Sequence, residues 1–281
     1  MMKTYFAFGL LFVFLLVLSG CGDNLLESIS DDDSKEAKLE DGRMALNKGN
    51  YDRALSILGK LNPYNLEVAK YVCSAYMGKA GFNTLDLAEK AAELQDEGKE
   101  GSFDLVGSLL DDDGMISIDY IVTHIQFAGY ALDVLKDLQQ AKGELNNELK
   151  ALLGTAAALH ATYTLLEIIQ EDLAIDDIPA TEEGIETAYE GRIFDTSSIS
   201  DDELEALNLD MGYMIEAVEA MLEITGAQTQ QENDLADNFD EFVNNIDSNR
   251  DDQVSRDEIG SYINNMGTEV DFGITEDFKG F

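Results

Sequence analysis

The chain has no Trp and only two Pro, two Cys and two His among its 281 residues, and each scarcity removes a class of protein. Breakers this sparse do not supply the regular turns of an all-β sandwich or barrel. Two cysteines cannot build the disulfide framework of a small secreted scaffold. Basic residues are also scarce: 18 Lys and Arg stand against 57 Asp and Glu, for a formal net charge of −39. Such a surface repels a phosphate backbone, so nucleic acid is excluded as a partner. There is no HExxH pair, nucleophile elbow, P-loop or dinucleotide fingerprint. His124 and His160 both lie in helical apolar settings, where a satisfied core or boundary histidine is expected. Carboxylate pairs are too abundant for any two to stand out as acid and base, and the chain is not expected to be an enzyme.

What is present is a 45% hydrophobic content, within the globular range, so the acidity does not make the chain a disordered tail. With few breakers and long stretches of helical periodicity, the expected fold class is all-α.

Lys3 is followed by an apolar run from Phe6 to Leu18 and then Ser19-Gly20-Cys21. The run is short for a membrane span and ends in small residues, which reads as a secretory signal over residues 1–20. Leu18-Ser19-Gly20-Cys21 resembles the bacterial lipobox. The resemblance implies cleavage before Cys21, diacylglycerol on its thiol and an acylated amine, enough hydrocarbon to hold a protein on a bilayer. An ordinary cleaved signal with a coincidental cysteine is the alternative. Gly22, not Asp, follows Cys21, so the implied destination is the outer membrane, in either leaflet. Residues 21–35 are acidic and polar and read as a tether with a reach of roughly 20 Å. Cys73 is left without a disulfide partner and is expected to be a buried thiol.

From 36 to 100 apolar positions recur at helical spacing in short segments punctuated by Gly-Asn, Asn-Pro and Gly-Phe. Gly49-Asn50-Tyr51 places a turn and an aromatic before Ala54, a small residue where two helices must approach. Gly81 repeats the turn 32 residues later, with Val72, Ala75 and Tyr76 before it and Leu85, Ala88 and Ala92 after. The segment resembles tetratricopeptide (TPR) repeats, although the interval from Gly49 to Pro63 is about one helical turn short and the aromatic expected early in each first helix is missing. Small-residue helix hairpins in any α-helical protein are the alternative. Over 101–228 the pattern predicts long packed helices: Ile116 to Gln140, Leu145 to Leu173 and Asp201 to Ile224. Asp176 to Pro179 reads as a break, and Thr181-Glu-Glu precedes a shorter helix. Ser200 and Glu203 have capping-box spacing. The segment from Leu152 to Tyr163 is small and apolar nearly all round and is expected to be the central helix. Met211, Met214 and Met221 lie at helical spacing and read as core packing, with a soft ligand groove as the alternative.

The strongest chemical signal lies in the last unit, 229–281. Asp247, Asn249, Asp251, Gln253, Ser255 and Glu258 place oxygens at alternate positions of one tight loop between two helical patterns, the way a hard divalent cation is enclosed. This loop resembles the EF-hand. The resemblance implies Ca2+ bound by the side chains of Asp247, Asn249 and Asp251, the Gln253 carbonyl, Ser255 directly or through water, and both oxygens of Glu258, with Val254 as the central apolar residue. Asp252 stands where the family has Gly, in a left-handed position that lowers the expected affinity. An acidic solvated loop is the alternative. A second, degenerate segment begins at Asp111. It either pairs with Val254 through Ile116, or binds a weaker ion through Asp111, Asp113 and Asp119, or is a plain helix-capping turn.

These readings together describe a lipid-anchored periplasmic or surface scaffold that binds calcium. Its contacts are the membrane, through Cys21, and a protein or peptide partner whose basic charge would suit the acidic surface. The alternative is an accessory lipoprotein of a solute transport system, with a ligand pocket or pore in its helical array.

Overall fold

The computed structural model describes residues 34–82, 115–179, 182–190, 192–225 and 246–265. Over these the protein is mostly helical. The first unit comprises α1 (Lys35–Asn47), α2 (Tyr51–Leu58) and α3 (Leu66–Lys79). Polar residues at the turns cap these helices. The Asn50 side chain accepts from the Arg53 amide at 3.3 Å, and that of Asn65 from the amides of Glu67 and Val68 at 2.9 and 3.2 Å. Each such cap stabilises its helix by about 1 kcal/mol. Gly49 turns the chain with φ +68°, a conformation glycine adopts without steric cost.

The helices of this unit touch through missing side-chain volume. A Cβ on Gly42 would lie 2.5 Å from Leu58, and one on Gly78 would lie 2.3 Å from the Tyr51 ring. Ala45, Ala54, Leu58 and Ala75 form a small core of their own. Helical hairpins are therefore observed from α1 to α3. α2 is only eight residues long, in line with the shortened interval after Gly49. Leu85, Ala88 and Ala92, expected in the following helix, lie outside the described residues, as do the signal, Cys21 and all but the end of the tether.

The larger core is built on α4 (Ile118–Lys142), α5 (Asn147–Leu173) and α7 (Asp201–Thr225), with α6 (Glu182–Ala188) between α5 and α7 in the chain. α5 packs against both long helices and is buried on nearly every side, from Leu149 and Leu153 to Leu166 and Ile169. It is long and apolar enough to cross a membrane, but 72% of its most apolar window is buried in the protein, as in the core helix of a globular bundle. The Tyr163 hydroxyl donates to the Ala80 carbonyl at 2.7 Å, tying α5 to the end of α3. Met211 and Met214 are core residues, 2% and 0% exposed. Ser200 and Glu203 form the reciprocal capping box at the start of α7, with bonds of 2.7 and 3.1 Å.

Two expectations are corrected. The helix expected from Ile116 begins at Ile118, because Met115–Ser117 form a strand, β1, which runs antiparallel to β2 (Asp177–Pro179) in the break at Asp176 to Pro179. Ile116 lies opposite Ile178 in this ribbon, and both are buried. Ile116 therefore does not pair with Val254: it pairs with Ile178, and the amide and carbonyl of Val254 are both held by the side chain of Asn208 on α7.

α5 and α7 also share a polar contact. His160 Nδ1 lies 2.6 Å from Asp210 Oδ2, and the Asp210 side chain is 1% exposed. Burial pushes the Asp210 carboxyl above its ordinary range, opposed by the hydrogen bond and charge of His160. Truncating one partner strands the other in the core. His160→Ala is expected to cost about 2 kcal/mol, somewhat less than a fully buried pair because His160 retains some exposure. The double variant His160→Leu/Asp210→Leu is expected to recover most of that loss. Urea unfolding of the three proteins checks both expectations, and a double variant no better than the single one would refute the account.

Candidate metal centre

The 247–258 loop leads into α8 (Arg256–Asn265). Its two ends are held down by burial. Ile246, Val254, Ile259, Tyr262 and Ile263 are 4% exposed or less and belong to the main core. Arg256 donates from Nε to the Ile199 carbonyl at 3.0 Å and pairs with Asp201. Asn264 accepts from the Phe194 amide at 3.0 Å. A Cβ on Gly260 would lie 2.5 Å from Thr196 Cγ2, so α8 sits tight against the 3-10 turn Thr196–Ser198.

Between these anchors the loop is shaped by its own side chains. Asp247 is 2% exposed. Its carboxylate accepts from the amides of Asp251 at 3.2 Å and Asp252 at 2.9 Å. Asp251 Oδ1 accepts from the Gln253 amide at 3.1 Å. Arg250 and Asp252 both have left-handed backbones, φ +60° and +62°. The sequence pointed to that conformation at Asp252, and Arg250 adds a second tight reversal. Left-handed residues other than glycine carry strain.

Glu258, 8% exposed, closes the loop. Its Oε2 accepts from the Ser255 amide at 3.0 Å and the Ser255 hydroxyl at 2.7 Å, while Oε1 accepts from the Asn249 amide and Ser248 hydroxyl, each at 3.2 Å. The Ser255 hydroxyl in turn accepts from the Glu258 amide at 3.3 Å, which makes Ser255 and Glu258 a capping box for α8. Burial pushes the Glu258 carboxyl up, but the hydrogen bonds from Ser255, Asn249 and Ser248 together hold it below its ordinary range.

The result is a floor of two buried carboxylates, Asp247 and Glu258, under an exposed rim carrying Asn249, Asp251, Gln253 and Ser255. Among the described residues, the hydrogen bonds to the floor come from neutral amides and hydroxyls. Among the described residues neither carboxylate has a Lys, Arg or His partner. No three His, Cys, Asp or Glu side chains among the described residues are gathered around one point. Three of the six residues in the expected ligand set, Asp247, Asp251 and Glu258, are carboxylates, and the other three would supply an amide oxygen, a hydroxyl and a backbone carbonyl.

Asn208 of α7 also touches this loop, and nothing in the sequence reading singled it out. Its Oδ1 accepts from the Val254 amide at 2.6 Å, and its Nδ2 donates to the Val254 carbonyl at 2.9 Å. The available signal was a polar residue on the apolar stripe Leu204, Leu207, Met211.

Of the degenerate segment, Asp111 and Asp113 lie outside the described residues. Asp119 is exposed in the first turn of α4, where Ser117 caps the helix by accepting from the Tyr120 amide at 3.3 Å. The histidines lie away from the loop's hydrogen bonds: His124 Nδ1 donates to the Tyr120 carbonyl at 2.7 Å and its ring stacks on Tyr120, while His160 meets Asp210. Burial pushes the Cys73 thiol well above its ordinary range, as expected of an unreactive core cysteine.

No family model, curated protein or solved structure matches the chain.

Proposed function

We propose that this protein is a lipid-anchored helical scaffold of the bacterial cell envelope that binds one calcium ion in its 247–258 loop. The observation that carries the calcium reading is the pair of buried carboxylates, Asp247 and Glu258, with no cationic side chain among the described residues to balance them. Buried charge is normally paired or bound to a metal. The oxygen donors nearest in the chain, Asn249, Asp251, the Gln253 carbonyl and Ser255, are hard ligands of the kind Ca2+ takes.

The anchor rests on Leu18-Ser19-Gly20-Cys21. The scaffold reading rests on the stacked hairpin α1 to α3 and on the acidic surface, which suits a basic protein or peptide. TPR-like packing and an outer-membrane location belong to the same proposal. The alternative role beside a solute transporter draws less support. The core between α4, α5 and α7 is filled by side chains. A groove of about 550 Å³ beside it is open and lined by Asp133, Lys136, Asp137, Gln139, Gln140 and Tyr213.

Two measurements on the full chain test the proposal. In Triton X-114 partitioning the native product is expected in the detergent phase and Cys21→Ala in the aqueous phase. In calorimetry one Ca2+ is expected per chain. A native product that stays aqueous would end the anchored reading, and absence of ion uptake would end the calcium reading.

A further inference from the structure

Val254 is 3% exposed, so its peptide N–H and C=O need partners. Both partners come from one side chain 46 residues away in sequence, Asn208, through the bonds of 2.6 and 2.9 Å. Nδ2 also donates to the Leu204 carbonyl at 2.8 Å. Exchanging the amide's N and O would set acceptor against acceptor at Leu204 and Val254 and donor against donor at the Val254 amide, so the orientation of Asn208 is fixed by its neighbours. A side-chain amide here does what the peptide unit of an adjacent strand would do.

The placement matters because Val254 lies between Gln253 and Ser255, both in the proposed oxygen set. Fixing the two peptide groups of Val254 fixes where the chain presents the oxygens on either side. The support is rigid: α7 carries Leu207 and Met211, each 2% exposed, on the same stripe as Asn208, and packs closely on α5. Sites held by such an element gain affinity because less ordering is left to occur on binding.

We infer that Asn208 is a positioning residue for the calcium loop, standing in for the second loop with which a lone loop of this kind would otherwise pair, and that it couples ion occupancy to the docking of the loop on α7. The inference rests on the calcium reading above. Coupling is reciprocal, so an ion that prefers the docked loop also strengthens the docking.

The test is a terbium luminescence titration of the full chain in detergent, with helicity followed by circular dichroism. Asn208→Ala is expected to raise the dissociation constant at least 10-fold while one ion still binds. Asn208→Asp keeps the shape and the acceptor for the Val254 amide but turns a second oxygen on the Val254 carbonyl. It is also expected to weaken binding, although an added negative charge near a bystander position would tighten it. An Asn208→Ala affinity within twofold of the wild type, or an Asn208→Asp affinity tighter than wild type, would overturn the inference and leave the calcium reading intact. A wild-type chain that takes up no ion would overturn both.

Discussion

In a terbium titration, Glu258→Gln is expected to bind the ion about 100-fold more weakly than the wild type, a loss of about 2.7 kcal/mol, with α8 still folded. The two roles of Glu258 separate in this variant. As a cap it supplies an acceptor to Ser255, at 3.0 Å from the amide and 2.7 Å from the hydroxyl. Gln fills that position in capping boxes as well as Glu does. As an ion ligand it would supply two equivalent oxygens and a full negative charge, and Gln offers one oxygen and none of the charge. The affinity of such loops depends on ligand charge count and rigidity, so the effect should exceed that of Asn208→Ala, which disturbs only positioning. Unchanged affinity would mean that the carboxylate serves α8 alone. A parallel loss of helicity would mean that the cap had failed, and the affinity change would then not count as ligand loss.

The second large effect concerns the contact on which both α7 and the loop depend. A Cβ at Gly154 would sit 2.1 Å from the Ala217 Cβ and 3.1 Å from the Tyr213 carbonyl oxygen. Gly154→Val must push α5 away from α7, and an overpacked core of this kind is destabilised by about 3 kcal/mol or more. A fall in melting temperature of several degrees is expected, since each kcal/mol shifts a domain of this size by about 2–4 °C. The clash has an identified partner, so Gly154→Ala should be milder and Gly154→Ala/Ala217→Gly milder still. If Gly154→Val melts with the wild type, the two helices are not in contact at this point. Because Asn208 lies on the same α7, the Val variant should also weaken terbium binding, linking core packing to the loop through one helix.

Much of the fold was legible because its signals are local. Ser200 and Glu203 mark the start of α7 through hydrogen bonds that span three residues, and a cap of that range depends on little else. The central position of α5 was visible in its small and apolar residues, because a helix with no polar face can only be covered on all sides. The short ribbon of β1 and β2 was not legible. Three-residue strands carry too few residues for alternation to register, and Ile116 finds Ile178 across two long helices.

The candidate site divides along the same line. By itself the sequence determined an acidic, mostly helical chain, the placing of its caps and turns, and an oxygen-rich loop from Asp247 to Glu258 with a left-handed requirement at Asp252. Each of these depends on residues within a few positions of one another. Tertiary structure alone decided that the floor of the loop is buried with no cationic partner among the described residues, that Ile116 faces Ile178 and not Val254, and that Asn208 holds Val254. Burial and long-range hydrogen bonds depend on which surfaces meet after the chain has folded, and a polar residue on an apolar stripe gives no sign of its partner until the partner's helix or loop is packed against it.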